Sequence, residues 1–124
     1  MLKKNYKEVE EKKAVLADGT KVDGIYIRWL IDENLGAKNF AMRRIEVKLG
    51  QNVPLHSHPE DHEIYVLSGT GKFYNDKGKV EIANEGDFVY IPPNEKHGID
   101  NIASQNNLVF LCLIPYLKEK KAKK

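Results

Sequence analysis

The chain has 124 residues, 41% of them hydrophobic and 31% charged, and a formal net charge of +2 at pH 7. This length fits one domain with one hydrophobic core, and the composition is typical of a globular protein rather than of a disordered chain. Because the net charge is close to zero, no strong field favours nucleic acid or an anionic membrane as a partner.

The first segment, residues 1–13, is rich in Lys and Glu with isolated apolar residues. Its pattern does not decide between a short helix, an edge strand and a loose arm, and we assign it as an N-terminal arm. From residue 14 to residue 116, short apolar clusters alternate with turn signals, and no long segment has a helical period. The predicted strands are residues 24–31, 39–49, 63–68, 71–75, 79–83, 88–91 and 108–114. This pattern predicts a single all-β domain, a sandwich or a barrel.

Side chains alternate along the predicted strand 39–49. Its apolar residues of one parity are expected to face the core, and they are Ala41, Ile45, Val47 and Leu49. Arg43 has the same parity and should also point inward. An inward arginine either is paired or half-exposed at the mouth of a barrel, or binds an anion in a pocket.

The last predicted strand, 108–114, is apolar on both parities, which is typical of a strand that is covered on both sides. Phe110 and Cys112 share one of its faces. Cys112 is by default a small core residue, and a soft metal ligand or a redox-active thiol is the alternative. The following residues, 117–124, form a basic tail, which we interpret as a solvated end without a function.

The four histidines are unevenly distributed along the chain. Three of them, His56, His58 and His62, lie within seven residues, and the fourth, His97, follows a Pro-Pro-Asn turn. On an extended strand His56 and His58 point to the same side, and a turn after them can bring His62 back toward both. Neutral imidazole is a common ligand of first-row transition metals and suits Mn, Fe, Ni, Cu or Zn better than Ca or Mg. The cluster therefore predicts a metal site, against the alternative of unrelated surface histidines.

Two motifs around these histidines resemble the motifs of the cupins. The first cupin motif, Gly-x5-His-x-His-x3/4-Glu-x6-Gly, is similar to the set Gly50, His56, His58, His62 and Gly69. His62 stands in place of the usual Glu. The second motif, Gly-x5-Pro-x-Gly-x2-His-x3-Asn, is similar to the set Gly86, Pro92, Asn94, His97 and Asn101. Asn94 replaces a Gly of the family, and Asn suits a turn with positive φ.

Segments at residues 29–31, 39–43 and 110–115 also resemble a subgroup of small prokaryotic single-domain cupins that bind manganese through four histidines. The resemblance implies a jelly-roll barrel, also called a double-stranded β-helix. It further implies one divalent transition-metal ion, with manganese first and then iron, nickel, copper or zinc. The metal ligands that it implies are His56, His58, His62 and His97.

Three residues are candidates to line a pocket beside the metal: Arg43, Phe110 and Cys112. Each ligand imidazole needs a partner for its other ring N–H, and the carboxylates of Glu60, Asp61 and Glu63 are either such partners or simply solvated in a turn. Glu60 departs from the subgroup, which often has an aromatic residue at that place on the rim of the pocket.

Four neutral ligands would leave the full charge of a divalent ion in place, and an octahedral ion would keep two further positions. The leading hypothesis is a metal-dependent oxygenase or related oxidoreductase that acts on a small organic substrate. The alternatives are a non-redox isomerase or lyase and a module that binds or senses a small ligand. Small cupins often pair, so we expect a homodimer.

The cellular compartment follows only from general features. The single cysteine excludes an intramolecular disulfide, and the chain has neither a secretory signal pattern nor an apolar stretch of about 18 residues. We therefore expect a cytoplasmic protein.

Overall fold

Two antiparallel sheets make up most of the protein in a computed structural model, which describes residues 1–15, 19–103 and 105–117. The helical segments among these residues are two 3-10 turns, Tyr6–Glu8 and Glu33–Leu35. No helix in the described part of the chain is long and apolar enough to cross a membrane. The predicted all-β class is confirmed, and the cytoplasmic location stays a prediction.

The strands, in chain order, are β1 (Lys12–Val15), β2 (Lys21–Ile31), β3 (Phe40–Val47), β4 (Asn52–His56), β5 (His62–Ser68), β6 (Thr70–Asn75), β7 (Val80–Asn84), β8 (Phe88–Ile91), β9 (His97–Asn101) and β10 (Leu108–Pro115). The six-stranded sheet has the order β1-β2-β3-β10-β5-β8, and the four-stranded sheet has the order β4-β9-β6-β7. The chain passes repeatedly from one sheet to the other. This is the jelly-roll arrangement of a β-barrel.

The inner face of β3 has the predicted parity, since Ala41, Ile45 and Val47 are all buried. Leu49 was expected on the same face but is exposed. The reason is that β3 ends at Val47 and Leu49 lies in a turn before Gly50, whose φ is 75°. The alternation of a strand therefore stops two residues earlier than the sequence pattern indicates.

The core lies between the two sheets. Phe110 of β10 and Phe73 of β6 come from opposite sheets, and their ring centroids are 6.2 Å apart at an interplanar angle of 65°. Val66 and Leu108 are fully buried beside them. Burial of these apolar side chains is the main force that holds the sheets together.

Three strands, β1, β4 and β9, were not predicted from the sequence. β4 contains Pro54, and β9 contains Gly98 and Asp100, which are residues that strands generally avoid. A Cβ atom at Gly98 would collide with the ring of Tyr74 on the neighbouring strand β6, so a larger residue there would displace that ring. Pairing with neighbouring strands overrides the weak local preference of both segments.

The N-terminal arm lies against the six-stranded sheet. The ring of Tyr6 packs on the guanidinium group of Arg44, whose Cζ atom lies 3.9 Å from the ring centroid. Lys12 and Lys13, which we assigned to the arm, belong to β1 and pair with β2. The division into arm, barrel and tail stays a prediction, and residues 118–124 of the tail lie outside the described residues.

The six-stranded sheet ends in the edge strand β8. Phe88 on this strand is 81% exposed, and Tyr90 on the same strand is also exposed. An exposed edge of this kind is a common site of self-association. The homodimer itself stays a prediction.

Candidate metal centre

The four histidines come from both sheets and from one turn. His56 is the last residue of β4, and His97 is the first residue of β9, directly opposite it in the strand pair. His62 is the first residue of β5 in the other sheet. His58 lies in the connection between β4 and β5. Strand ends of the two sheets thus meet at one end of the barrel.

The four imidazole rings form one cluster. The ring centroid of His97 lies 4.4 Å from that of His56 and 5.2 Å from those of His58 and His62. The Nε2 atoms of His58 and His62 are only 2.6 Å apart. One ring nitrogen from each of His56, His58 and His97 lies within 4.8 Å of the other two. These three residues therefore fit a metal site, and His62 adjoins them.

Three of the rings are oriented by backbone carbonyl groups. The Nδ1 atoms of His56, His58 and His97 lie 2.8 Å from the carbonyl oxygens of Pro54, Glu60 and Glu95. A carbonyl oxygen can only accept, so each Nδ1 carries the proton and donates it. This fixes the tautomer in which Nε2 has a free lone pair, which is the form that binds a metal ion.

The ring of His62 is oriented differently, by side chains. Its Nδ1 atom lies 2.8 Å from the Sγ atom of Cys112 and 3.3 Å from a terminal nitrogen of Arg43. The same nitrogen of Arg43 donates to Cys112 Sγ at 3.0 Å. Arg43, Cys112 and His62 form one polar contact inside the barrel, and Arg43 points inward as predicted.

Burial favours the neutral form of three of the imidazoles, those of His58, His62 and His97. Burial and, after it, the positive charge of Arg43 lower the pKa of His62 to about 2. Burial also lowers the pKa of His97 to about 4 and the pKa of His58 below its usual value. Only a neutral imidazole has a lone pair for a metal ion. The donor set is therefore ready to bind a cation at neutral pH.

Of the three carboxylates that could be partners of the ligand rings, those of Asp61 and Glu63 lie outside the cluster. Glu60 contributes its backbone carbonyl oxygen to His58, and its carboxylate is 3.7 Å from the same ring nitrogen. Asp61 accepts a hydrogen bond from the hydroxyl group of Tyr90. Glu63 is exposed on β5. Backbone carbonyl groups, which a sequence motif does not reveal, take the place expected for these side chains.

A cavity of about 190 Å³ lies beside the histidines, between the sheets. All three predicted pocket residues, Arg43, Phe110 and Cys112, line it. Its wall is largely formed by isoleucines, and we call them the isoleucine wall: Ile25, Ile27, Ile45, Ile64, Ile91 and Ile99. Strand alternation predicted an inward position only for Ile45, and Ile99 lies on the unpredicted strand β9. No Asp, Glu, Lys or Tyr is among the described residues that line the cavity.

A family model described as a cupin domain matches residues 43–114, more than half of the chain. The chain belongs to the cupin family. The two predicted motifs lie within the matched residues, and Asn94 of the second motif has a φ of 65°, as expected for a residue that replaces Gly.

Known relatives of this cupin have different descriptions. It is 36% identical to an uncharacterized protein of Methanocaldococcus jannaschii over 96 residues, and this alignment covers 75% of each chain. It is 36% identical over 72 residues to an oxalate-binding protein of Thermotoga maritima, covering 57% of this chain and 58% of the relative. The solved structure of the polyketide cyclase RemF from Streptomyces resistomycificus matches with a TM-score of 0.80 and 29% identity, over 93% of this chain and 79% of that one. The family is therefore established, and its members differ in what they do.

Proposed function

We propose that this cupin binds one divalent transition-metal ion on His56, His58, His62 and His97 and acts as a metal-dependent oxygenase on a small organic molecule. The position of His62 supports it as the fourth ligand, because its ring centroid lies 4.4 Å from that of His58 and 5.2 Å from that of His97. The Nε2 atoms of His58 and His62 are at hydrogen-bond distance, so binding of one ion by both would require the two rings to move slightly apart.

The observation that carries the proposal is the lining of the cavity. Besides the four histidines, its polar side chains among the described residues are Arg43, Ser57 and Cys112. Burial raises the pKa of Cys112, so its thiol stays protonated at neutral pH. An enzyme that moves protons generally needs a carboxylate, a lysine or a free imidazole beside the substrate. If all four imidazoles hold the ion, the described lining has no such group available, which favours a reaction in which a metal ion and dioxygen supply the chemistry.

The donor set limits the choice of metal. Imidazole ligands suit Mn, Fe, Ni, Cu and Zn, and the resemblance to manganese cupins places manganese first. A redox-active ion held by four neutral ligands would supply open coordination positions and the electron transfer that an oxygenase needs. The protein side chains would hold that ion, orient the substrate and exclude water.

The second candidate is a non-redox enzyme, and the similarity to the polyketide cyclase RemF favours it. Any proton transfer would then depend on Ser57 or Cys112, the uncharged polar side chains other than histidine among the described residues that line the cavity. The relative described as an oxalate-binding protein favours a third candidate, a module that binds a small ligand without converting it. Fold alone does not separate these functions.

The metal site is tested by elemental analysis of the purified protein and of single-alanine variants. We expect about one ion per chain in the wild type, because the ligands form one cluster, and loss of that ion in His58→Ala and His97→Ala. His62→Ala tests the fourth ligand and should also lose metal. The control is Ser57→Ala, which changes the same cavity without removing an imidazole. Full metal content in both His58→Ala and His97→Ala would disprove the site.

The reaction class is tested with protein reconstituted with manganese, iron or zinc. We expect turnover of candidate organic substrates to consume dioxygen, to stop under nitrogen and to fail with zinc, which is not redox-active. Equal turnover without dioxygen would instead establish the non-redox enzyme. Binding without turnover under every condition would establish the ligand-binding module.

A further inference from the structure

The cavity beside the histidines has an excess of positive charge. Arg43 is a permanent cation, and the proposed metal ion adds two further charges without an anionic ligand. No carboxylate is among the described lining residues, and among the described residues none forms an ion pair with Arg43. A cation that is partly removed from water is stable only when an anion or polar groups compensate for the loss.

Contacts hold the side chain of Arg43 in place, but they do not use all of its hydrogen-bond donors. One terminal nitrogen donates to Cys112, and the guanidinium Cζ atom lies 5.4 Å from the ring centroid of Trp29. Its Nε atom is buried and has no hydrogen-bond partner in the described structure. A guanidinium group that lines a cavity and forms no ion pair among the described residues is suited to bind a carboxylate or another oxygen anion.

The rest of the cavity lining is apolar. The isoleucine wall, together with Phe110 and Val53, gives it a surface of branched hydrocarbon groups. Such a surface offers no hydrogen bonds to hydroxyl groups, and burying a hydroxyl group against it would cost free energy. It stabilises a hydrocarbon group in proportion to the area that leaves water.

From this separation of charge and hydrocarbon we propose that the substrate is a small organic anion with one charged oxygen end and an apolar body. The charged end lies at Arg43 and the histidine cluster, and the body lies against the isoleucine wall. This rests on the proposed metal site and specifies the substrate class of the same cavity.

The size of the cavity limits the apolar body. A cavity of 150 Å³ is large enough for benzene, so the cavity of about 190 Å³ accommodates roughly six carbon atoms, the carboxyl carbon included. Sugar phosphates are poor candidates because their hydroxyl groups would meet the isoleucine wall. Oxalate matches the charge but has no apolar body.

The test is calorimetric titration of zinc-loaded protein with unbranched carboxylates, from acetate through butyrate and hexanoate to octanoate. Each added methylene should strengthen binding about fourfold until the cavity is full near six carbons, after which affinity should stop rising. Hexanoate should also bind more tightly than hexanol, oxalate and glucose 6-phosphate. Equal affinity for acetate and hexanoate, or tighter binding of oxalate, would overturn the proposal.

Two pairs of variants locate the ends of the ligand. Arg43→Gln should weaken hexanoate by about 10- to 100-fold and leave hexanol unchanged, whereas Arg43→Lys should retain most of the affinity. The metal content of both Arg43 variants is also measured, because Arg43 contacts His62 and its substitution could change metal binding. Ile27→Phe should shift the optimum to a shorter chain, and Ile82→Phe on the exposed strand β7 is its control. An optimum unchanged in Ile27→Phe would contradict the assigned wall.

These results remain separable from the proposed function. Zinc supports binding without redox turnover, so a chain-length dependence with no oxygen uptake would retain the substrate class and reject the oxygenase. Oxygen-dependent turnover of a polyhydroxylated substrate, with no dependence of binding on chain length, would retain the oxygenase and reject the substrate class. If the protein holds no metal, titration of the metal-free protein should still favour hexanoate over hexanol through Arg43, and equal binding would reject the inference.

Discussion

The Nδ1 atom of His62 lies 2.8 Å from the Sγ atom of Cys112, inside the barrel. The other three histidines are oriented by backbone carbonyl groups, which substitution does not remove. The orientation of His62 therefore depends on a side chain that can be exchanged, and this makes Cys112 a positioning residue for the proposed fourth ligand.

Removing the thiol should weaken metal binding. We expect Cys112→Ala to lower metal affinity by about 10- to 100-fold, because a ligand imidazole loses the partner of its second nitrogen. Cys112→Ser keeps a hydroxyl acceptor and should lose less. Competition with a chelator of known affinity measures the effect. The control is Val66→Ala, which removes a comparable volume from the core without touching a histidine, and equal losses in both variants would contradict the assigned role.

The metal-free protein should become less stable as the pH is lowered from about 6.5 toward 4. The imidazoles of the unfolded chain take up protons near pH 6.5, whereas the pKa of folded His97 is about 4 and that of His62 about 2. The unfolded state thus binds more protons in this range, so the free energy of unfolding falls as the pH falls. Urea denaturation at several pH values measures this dependence. His97→Asn should make it shallower, and an unchanged slope in that variant would be evidence against burial of His97.

A core leucine and an exposed leucine provide a test of the packing. Leu108 is 0% exposed and Leu49 is 46% exposed. We expect Leu108→Ala to lower the free energy of unfolding by about 2–5 kcal/mol and Leu49→Ala by about 0.5 kcal/mol or less. Leu108 does not line the metal cavity, so both variants should keep their metal. Chemical denaturation measures the difference, and similar losses would mean that the packing around Leu108 is wrong.

Two glycines with positive φ differ in what surrounds them. Gly69 has a φ of 86°, and a Cβ atom there would lie 2.5 Å from the backbone oxygen of Asn107. Gly78 has a φ of 87° and nothing within 4 Å of that position. Both alanine variants incur the cost of a left-handed backbone, about 1–2 kcal/mol. Gly69→Ala should cost clearly more in thermal denaturation, and equal melting temperatures would show that the backbone near Asn107 moves freely.

The clustering of the four histidines could be predicted from the sequence more fully than the strands around them, and the metal site itself stays a prediction. His56, His58, His62 and His97 could be found because fixed intervals in two motifs bring them together, and Arg43 could be placed by strand parity. The strands β4 and β9 could not be predicted, because they contain Pro54 and Gly98. Both residue types disfavour a strand locally, and pairing with neighbouring strands overrides that preference.

Other parts of the site lie beyond local sequence patterns. The carbonyl groups of Pro54, Glu60 and Glu95 orient the rings through backbone geometry, which any residue could provide. The contact between His62 and Cys112 joins residues 50 positions apart. Strand pairing between β5 and β10 brings these residues together, so only the fold reveals the contact.

The positions of the histidines in both sheets would also make the stability of the fold depend on metal binding. His56 and His97 are parts of the four-stranded sheet, and His62 begins a strand of the six-stranded sheet. An ion held by all of them, as proposed, would cross-link the two layers, and unfolding would break that cross-link. An ion that binds only the folded chain stabilises it by roughly 2.7 kcal/mol when its free concentration is 100 times the dissociation constant. The survival of the folded protein in a cell would then follow the local supply of metal, apart from any reaction in the cavity.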